Sequence, residues 1–380
     1  MSPSLPRRPP REEDFTGRLR DERVASWLGV ALGVAFGIAF VTGVLSHLIQ
    51  HPPWWFGWPT RPVSLYRVTQ GLHVIAGTVA IPLLLAKLYS VYPKLFTWPP
   101  VRSMAHALER ASVLLLVASA FFELATGLLN IAQVYPWSFF FPAAHYAAAY
   151  VVMGSILVHV AVKLPVIRRA LGERLDQDEP VDGLPGRRTF LVGTGAAALA
   201  AYLATAGQTV PLLRRVSVLA PRSGGGSQGL PVNKSAVAAG VVESARDAGY
   251  RLVVRGRAGE VRLALADLQA MPQHEEDLPI ACVEGWSATG RWTGVRVSDL
   301  LDLVGAPSDA DVEVASLQQR GLYRASVLPG AHARDPLTLL ALRLNGEPLD
   351  LDHGYPCRVI APSRPGVLQT KWVSSLRVPA

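Results

Sequence analysis

Residues 27–49 read WLGVALGVAFGIAFVTGVLSHLI and contain no Asp, Glu, Lys or Arg. An α-helix needs about 20 predominantly apolar residues to cross the ~30 Å hydrocarbon core of a bilayer. Four later stretches have a similar length and composition: Tyr66–Tyr92, Ala111–Ile131, Pro142–Ile167 and Phe190–Leu213. Buried helices of a soluble protein would need polar faces, which these segments mostly lack. The sequence therefore predicts an all-α transmembrane bundle of five spans.

The composition of the 380 residues agrees with a membrane part joined to a globular part. Half of the chain is apolar, 17% is charged, and the mean hydropathy is +0.25, which excludes a disordered chain. Strand-like alternation begins only after about Tyr250. The net charge of +8 lies beside apolar spans and forms no basic stripe with aromatics, so we expect membrane lipid and no nucleic acid as a partner.

The connections between the spans differ in positive charge. Lys and Arg number six in residues 1–23, three in 93–110 and six in 163–188, against two in 51–67 and none in 132–142. Because cytoplasmic loops carry the excess of positive charge, the first three regions are predicted to be cytoplasmic. Five crossings then place the C-terminal domain of this multi-pass cell-membrane protein on the extracytoplasmic side.

The fifth span is preceded by Arg187-Arg188-Thr189-Phe190-Leu191 and continues as a mildly hydrophobic Ala/Gly-rich run. This pattern resembles an internal twin-arginine export signal, and an ordinary positive flank is the alternative. Twin-arginine export handles folded proteins that commonly carry a cofactor. The exported domain is therefore expected to bind one.

These features predict six regions along the chain. They are a flexible cytoplasmic tail over 1–23, a four-helix membrane domain over 24–168, a cytoplasmic loop with the arginine pair over 169–189, a fifth transmembrane helix over 190–213, a Gly/Ser-rich linker over 214–231, and a globular domain over 232–380.

Within the last domain, short periodic segments predict an α+β fold with a mixed sheet. The predicted strands are Tyr250–Arg257, Glu260–Leu263, Leu278–Val283, Asp311–Leu317, Leu322–Leu328, Tyr355–Ala361 and Thr370–Val378. The predicted helices are Leu265–Ala270, Val297–Val304 and Pro336–Leu342.

The two cysteines, Cys282 and Cys357, are too few for a disulfide framework. Cys282 ends an apolar strand and opens a turn, where a thiolate can bind a soft metal as a single protein ligand, although a buried inert cysteine fits the spacing too. No CxxC, HExxH or histidine cluster occurs in the domain, which disfavours zinc. Cys357 lies in a strand pattern and is predicted to be a small core residue.

Three runs together resemble a known family. They are Cys282-Val-Glu-Gly-Trp-Ser, Asn233 within Pro-Val-Asn-Lys, and His353-Gly-Tyr-Pro-Cys-Arg-Val-Ile-Ala-Pro followed by Gln369-Thr-Lys-Trp-Val. They are similar to the molybdopterin-binding domain of the sulfite oxidase superfamily, especially its periplasmic methionine sulfoxide reductase branch, over roughly residues 230–380. The resemblance implies that Cys282 is the thiolate ligand of a molybdenum held by one pyranopterin dithiolene.

The resemblance also implies which residues hold the pterin and its phosphate. They are Asn233, Ser316, His353, Arg358, Gln369, Thr370 and Lys371. Arg and Lys suit a buried phosphate, and Asn or His can pair with ring edges. Two residues depart from the family pattern, since Ser316 replaces a Thr and His353 replaces an Asn.

The sulfite-oxidising branch follows its cysteine with an arginine pair, whereas this chain has Val283-Glu284-Gly285-Trp286-Ser287. Sulfite is therefore disfavoured, and we expect a quinol-linked reductase of a small-molecule or protein S-oxide, or of an N-oxide, with the quinol pool or a redox partner as donor. Oxidation of a small oxyanion feeding quinone and a cofactor-free membrane binding module are the alternatives.

Intramembrane histidines suggest haem b, because ionisable residues in membrane spans are functional candidates. His145 and His159 lie ~21 Å apart along one helix, and from the outer ends His73 lies ~10 Å deep, His145 ~6 Å and His159 ~27 Å. Depth favours His73 with His145 as ligands of one haem iron and leaves His159 for a second. His47 competes for either place in the His73 and His145 pair, His106 is a candidate partner for His159, and histidines that merely line a helix bundle as polar groups are the alternative. The bundle loosely resembles the cytochrome b561 type.

Overall fold

The computed structural model describes residues 11–15, 18–172, 186–220 and 226–379. Parts of the predicted tail (1–10, 16–17), cytoplasmic loop (173–185) and linker (221–225) lie outside these ranges. The chain forms two compact units. The first unit is Met1–Val44, Leu72–Gly207 and Arg215–Leu219, and the second unit is Leu45–Gly71, Gln208–Arg214 and Ala220–Ala380.

Five long helices cover all or most of each predicted span, and their length and composition suffice to cross a membrane. They are α1 Glu22–Gln50, α2 Leu65–Val91, α3 Met104–Ala132, α4 Phe141–Gly172 and α5 Arg187–Thr205. The fifth was predicted to reach Leu213 but ends at Thr205. Ser217 accounts for the early end, because its Oγ donates to the Leu203 carbonyl (2.6 Å) and accepts from the Gly207 N–H (2.7 Å).

The described part of the predicted flexible tail makes defined contacts. The Phe15 ring packs on Tyr92 and Phe96 at centroid distances of 5.2 and 5.0 Å. Arg20 donates a hydrogen bond to the Tyr92 hydroxyl (2.9 Å). This part of the tail is therefore packed, where the sequence predicted flexibility.

The second unit contains two five-stranded sheets. The strands are β1 Arg251–Gly256, β2 Gly259–Ala264, β3 His274–Ala281, β4 Ser287–Arg296, β5 Val312–Ser316, β6 Ala325–Leu328, β7 Leu339–Leu344, β8 Glu347–Pro348, β9 Arg358–Ile360 and β10 Val373–Arg377. The first sheet has the order β2-β1-β10-β5-β6, with β1 and β10 parallel and the other pairs antiparallel. The second has the order β3-β4-β7-β8, with β9 also on β7, and is antiparallel.

Short helices connect the strands: α6 Ala236–Ala239, α7 Val242–Arg246, α8 Leu265–Ala270, α9 Val297–Asp302 and α10 Gly330–Ala333. One apolar core contains side chains from both sheets, including Leu252, Leu340 and Val373, each fully buried. A second core surrounds Trp292 and reaches Cys282. The α+β mixed-sheet prediction agrees with this architecture.

One predicted element has the wrong type. The segment Pro336–Leu342 was predicted to be helical, but β7 occupies Leu339–Leu344 in the middle of the second sheet. Five of its six residues are buried and Arg343 alone is exposed, so the alternation that marks a half-buried strand is missing. The partner strand β4 was not predicted. Its Gly294 has no Cβ, which lets the Leu340 backbone approach closely.

The described end of the predicted linker belongs to the folded domain. Leu230 is 2% exposed and lies in the second core. Gln228 donates hydrogen bonds to the Leu344 and Pro348 carbonyls (3.1 and 2.9 Å) and accepts one from the Asp350 N–H (2.8 Å). Residues 226–231 therefore pack as part of the domain.

Candidate active site

Cys282 lies in the turn of the hairpin formed by β3 and β4. The last strand pair joins Ala281 to Ser287, and the turn closes with hydrogen bonds from the Cys282 N–H to the Trp286 carbonyl (2.8 Å) and from the Gly285 N–H to the Cys282 carbonyl (3.0 Å). Gly285 has a φ of +89°, a conformation that glycine adopts without a steric penalty. The turn thus fixes the thiol at the end of the sheet, where it is 1% exposed.

The loop after β9 forms a second wall behind the cysteine. Pro365 pairs with Ala281 in a parallel bridge. A Cβ added to Gly366 would lie 3.0 Å from Ile280 Cγ2 and 3.6 Å from Cys282 Cα. A glycine at this position lets the loop backbone approach the cysteine turn closely.

A recess opens beside Cys282 and contains about 300 Å³ of space, including its open mouth. Its lining residues are Pro231, Val232, Asn233, Ile280, Cys282, Trp286, His353, Arg358, Gly366 and Lys371. Five of these belong to the predicted site: Asn233, Cys282, His353, Arg358 and Lys371. The fold therefore brings residues from four separate stretches of sequence to one place.

The recess contains two cationic side chains, the buried Arg358 and the partly buried Lys371, whose hydrogen bonds all go to neutral oxygens. Arg358 donates to the carbonyls of His353 (3.1 Å) and Gln369 (3.2 Å). Lys371 Nζ donates to Asn233 Oδ1 (3.2 Å) and to the carbonyls of Lys234 (2.5 Å) and Asp352 (2.9 Å). Neither cation forms an ion pair with any residue that the structure describes.

Burial without an ion-pair partner lowers the pKa of both groups. Burial lowers the pKa of Arg358 to about 9. Burial, reinforced by the charge of Arg358, lowers the pKa of Lys371 to about 7. The Arg358 Nε is buried and has no hydrogen-bond partner among the described residues. Since a buried charge is costly unless paired, this recess is suited to an anion such as a phosphate.

His353 lies at the same recess and is 2% exposed. Its Nε2–H donates to the Ser227 carbonyl (2.6 Å), which leaves Nδ1 as an acceptor in the neutral ring. Burial lowers the pKa of His353 and favours that neutral ring. The following Gly354 has a φ of +109°, and a Cβ there would lie 3.1 Å from the Cβ atoms of Arg358 and Lys371.

The other three predicted pterin residues turn their side chains to the protein. Ser316 Oγ donates to the Lys371 carbonyl (2.7 Å). The side-chain amide of Gln369 accepts a hydrogen bond from the Ala361 N–H (2.7 Å) and donates one to the Ala361 carbonyl (2.9 Å). The Thr370 hydroxyl bonds Ser326 Oγ (2.7 Å). These side chains fix the backbone that carries Lys371 and do not line the recess.

Two tyrosines missed by the sequence reasoning lie near Cys282. Tyr66 and Tyr323 both interact electrostatically with the thiol. Burial, and to a lesser degree Cys282, raises the pKa of Tyr323. Tyr323 was predicted to lie in a strand but occupies a turn at Leu322–Arg324, before β6. No local pattern marks either residue, since each reaches the site through long-range packing.

The chemistry of the donor set fits a molybdopterin. Cys282 is a single buried thiol. Within the described ranges, no group of three or more His, Cys, Asp or Glu side chains could hold a metal ion, so a metal at Cys282 would need ligands from a cofactor. Arg358 and Lys371 form no ion pair with the described residues, and the phosphate of the cofactor could supply the missing counter-ion. Cys357, in contrast, is fully buried in the first core, and burial raises its pKa to about 12, which confirms the prediction of a core residue.

In the first unit, the structure brings His73 and His145 together, with ring centroids 6.2 Å apart. His73 Nδ1 donates to the Ala39 carbonyl (2.8 Å). His145 Nδ1 bonds the Thr126 hydroxyl (3.1 Å), and its Nε2 lies 3.2 Å from Glu123 Oε2.

His159 does not join the His73 and His145 pair. Its electrostatic neighbours are Lys87, Glu109 and Lys163, and Glu109 and Lys163 form an ion pair (2.6 Å). The assignment of the three histidines to haem iron stays a prediction.

Comparison with known proteins agrees with the chemistry of the recess. The family described as oxidoreductase molybdopterin binding domain matches residues 239–380. A putative protein-methionine-sulfoxide reductase subunit YedZ1 of Azospira oryzae is 34% identical over 132 residues, which are 34% of this chain and 49% of that protein. The mitochondrial sulfite oxidase of Mus musculus is 32% identical over 157 residues, covering 34% of this chain and 29% of that protein.

The chain thus spans about half the length of the first relative and less than a third of the second. Among solved structures, the sulfane dehydrogenase SoxCD from Paracoccus pantotrophus aligns over 34% of this chain and 38% of that chain, at 23% identity and a TM-score of 0.32, and at that score it adds nothing to the assignment. Residues 239–380 therefore match a molybdopterin-binding oxidoreductase domain, and the relatives of the chain include sulfite oxidases.

Proposed function

We propose that this chain is a membrane-bound enzyme that reduces an S-oxide or N-oxide with electrons from quinol. The observation that carries the proposal is the recess in which the Cys282 thiol lies beside Arg358 and Lys371, two cations that form no ion pair with the described residues. When bound, a molybdenum–pterin group supplies two-electron oxygen-atom transfer at this place. A cofactor-free binding module does not agree with the family match.

Five of the lining residues would hold the cofactor. The Cys282 thiolate would be the ligand for the soft metal. Arg358 and Lys371 would bind the phosphate, which would give both charges a counter-ion. Asn233 and His353, which line the same recess, would pair with ring edges. Ser316, Gln369 and Thr370 act indirectly by fixing the backbone around Lys371.

The overall reaction is balanced with quinol as donor. A sulfoxide and a quinol give a sulfide, a quinone and one water. The S–O bond breaks, its oxygen leaves as water with two protons, and the quinol is oxidised by two electrons. The chain's task is to bind both reactants and exclude side reactions, and the burial of Cys282 (1% exposed) serves that exclusion.

The cysteine turn favours an oxide over an oxyanion. Val283, Glu284 and Trp286 follow the cysteine, and Trp286 Nε1 donates to Glu284 Oε2 (3.1 Å). A carboxylate two residues after the cysteine repels a sulfite dianion. The named sulfite oxidases among the relatives nonetheless favour a second candidate, which is oxidation of a small oxyanion with electrons passed to quinone.

The helical unit is proposed to receive the electrons. Five helices have the length and composition of membrane spans, and the charge asymmetry of their connections supports a C-terminal domain outside the cytoplasm. His73 has the arrangement of a metal-binding imidazole. Its Nδ1–H is donated to the Ala39 carbonyl, so Nε2 is the nitrogen that would bind the iron. His145 fits less simply, because Glu123 lies against its Nε2. A haem b held by His73 and His145 requires Glu123 to turn away.

The direction of the reaction is tested on the full-length protein in detergent. Metal analysis should give molybdenum in the wild type and little in Cys282→Ser. Reduced viologen should be oxidised by small sulfoxides or N-oxides, and ferricyanide should not be reduced by sulfite. If sulfite is oxidised and every oxide is inert, the second candidate replaces the first.

A further inference from the structure

The segment Leu45–Gly71, which joins α1 to α2, belongs to the second compact unit. Arg61 and Asp335 form a two-pronged ion pair, with N···O distances of 2.7 and 2.9 Å. Trp58 Nε1 donates to the Ser363 carbonyl (2.8 Å) and hydroxyl (2.9 Å). Since Asp335 is 8% exposed and Ser363 is 2% exposed, these contacts hold the segment firmly to the domain.

The same segment contacts the cysteine turn. Ile49 and Tyr66 form a buried apolar cluster with Ala281, the residue before Cys282. Gln70 Nε2 donates to the carbonyl of Val283, the residue after it (3.2 Å). The segment therefore contacts the residues that come directly before and after Cys282 in the turn.

A chain of neutral hydrogen bonds runs through this segment. It starts at Tyr323, whose hydroxyl donates to Gln50 Oε1 (3.2 Å). Gln50 Nε2 donates to Ser46 Oγ (3.2 Å) and to the Ser46 carbonyl (3.1 Å). The Ser46 hydroxyl bonds that of Tyr66 (3.0 Å), and Tyr66 donates to Gln70 Oε1 (3.5 Å).

The last link is the bond from Gln70 to the Val283 carbonyl. All donors point from Tyr323 toward the cysteine turn once the Ser46 hydroxyl donates to Tyr66. Such aligned bonds polarise one another, so that a network is worth more than its separate pairs. No member carries a charge, which matches an uncharged oxide substrate better than an anion.

We propose that Gln50 is a positioning residue that ties Tyr323 through this hydrogen-bond chain to the turn carrying Cys282, and that the Leu45–Gly71 segment thereby supports the cysteine turn of the active site. The inference rests on the proposed function for its kinetic test. Gln50 is suited to this part because both polar atoms of its amide are engaged. Loss of the amide leaves the Tyr323 hydroxyl without its partner in the segment.

The first experiment is a double-mutant cycle on the full-length, cofactor-loaded protein, with reduced viologen and dimethyl sulfoxide. Gln50→Leu and Tyr323→Phe should each lower kcat/KM by about 10-fold, the value of one hydrogen bond of about 1.4 kcal/mol. The double variant should be no slower than either single one, because both remove the same interaction. Gln319→Leu, at an exposed position, is the matched control and should leave kcat/KM unchanged.

Gln50→Glu gives a pH signature that a merely structural residue would lack. A protonated glutamic acid can accept from Tyr323 and donate to Ser46, whereas the carboxylate cannot donate. The activity of Gln50→Glu relative to wild type should therefore rise as the pH falls from 8 to 5.5. A ratio independent of pH, or independent effects in the double variant, overturns the proposal.

A readout without turnover uses the cofactor-free full chain with Cys357→Ser as background. Alkylation of Cys282 by N-ethylmaleimide should be several-fold faster in Gln50→Leu than in Gln319→Leu, because the cysteine turn loses part of its support. Equal rates overturn this supporting role of the segment. If wild-type protein reduces no oxide but alkylation still responds to Gln50, the proposed function fails while this inference stands.

Discussion

Replacing Lys371 by Met removes the buried positive charge for which the recess has no counter-ion. The pKa of Lys371 falls from its ordinary 10.5 to about 7 through burial and the charge of Arg358. At about 1.4 kcal/mol per unit, protonated Lys371 costs about 5 kcal/mol more in the folded cofactor-free protein than in the unfolded chain. Between pH 7 and 10.5 the unfolded chain binds this proton and the folded protein does not.

The sign follows from proton linkage. Stability rises with pH wherever the unfolded state binds more protons, here by about 1.4 kcal/mol per pH unit. From pH 7 to 9 the cofactor-free wild type should gain about 2 kcal/mol over Lys371→Met, because Lys371 in the folded protein is still about half protonated at pH 7. A bound phosphate raises the pKa of Lys371, so the cofactor-loaded wild type should lose most of this pH dependence.

The assay is urea unfolding of the full-length protein in detergent at pH 7, 8 and 9, followed by tryptophan fluorescence. Buried Trp286, Trp292 and Trp372 report on the second unit. Lys234→Met is the matched control, since Lys234 Nζ bonds Gln318 Oε1 (2.9 Å) near the same recess. Parallel pH dependences for wild type and Lys371→Met would refute the reasoning.

Three further outcomes test other parts of the molecule. Cys282→Ser should abolish turnover and reduce molybdenum content, because a hard hydroxyl replaces a soft thiolate, whereas Cys357→Ser should cost about 1 kcal/mol of stability and keep activity; wild-type turnover in purified Cys282→Ser contradicts the metal assignment. His73→Ala or His145→Ala should remove a low-spin ferrous haem band and quinol-driven activity while activity with viologen persists; a wild type without haem absorption refutes this prediction. Replacing Arg187-Arg188 by two lysines keeps the positive flank but should leave a reporter fused to the C-terminus in the cytoplasm; a reporter still outside contradicts the export route.

Much of the site could be predicted because the residues that carry its chemistry lie in short, recognisable stretches of sequence. Cys282 at the end of an apolar strand, and the Arg358 and Lys371 cations in the closing motifs, all line the recess. The exact use of Ser316 and Gln369 could not be predicted in this way. A polar side chain can hydrogen-bond either to a ligand or to a neighbouring backbone group, and the residues packed around it determine which.

The sequence by itself determined the five apolar helices and the separate α+β domain, because length, hydropathy and periodicity are properties of contiguous residues. Tertiary structure decided which distant residues meet. The β7 segment Leu339–Leu344 became a strand because β4 and β9 bury it from both edges. Likewise Gln50, near the end of an apolar helix, reaches Tyr323 across 273 positions of sequence, a contact that no local pattern encodes because it depends on how the segment packs against the domain.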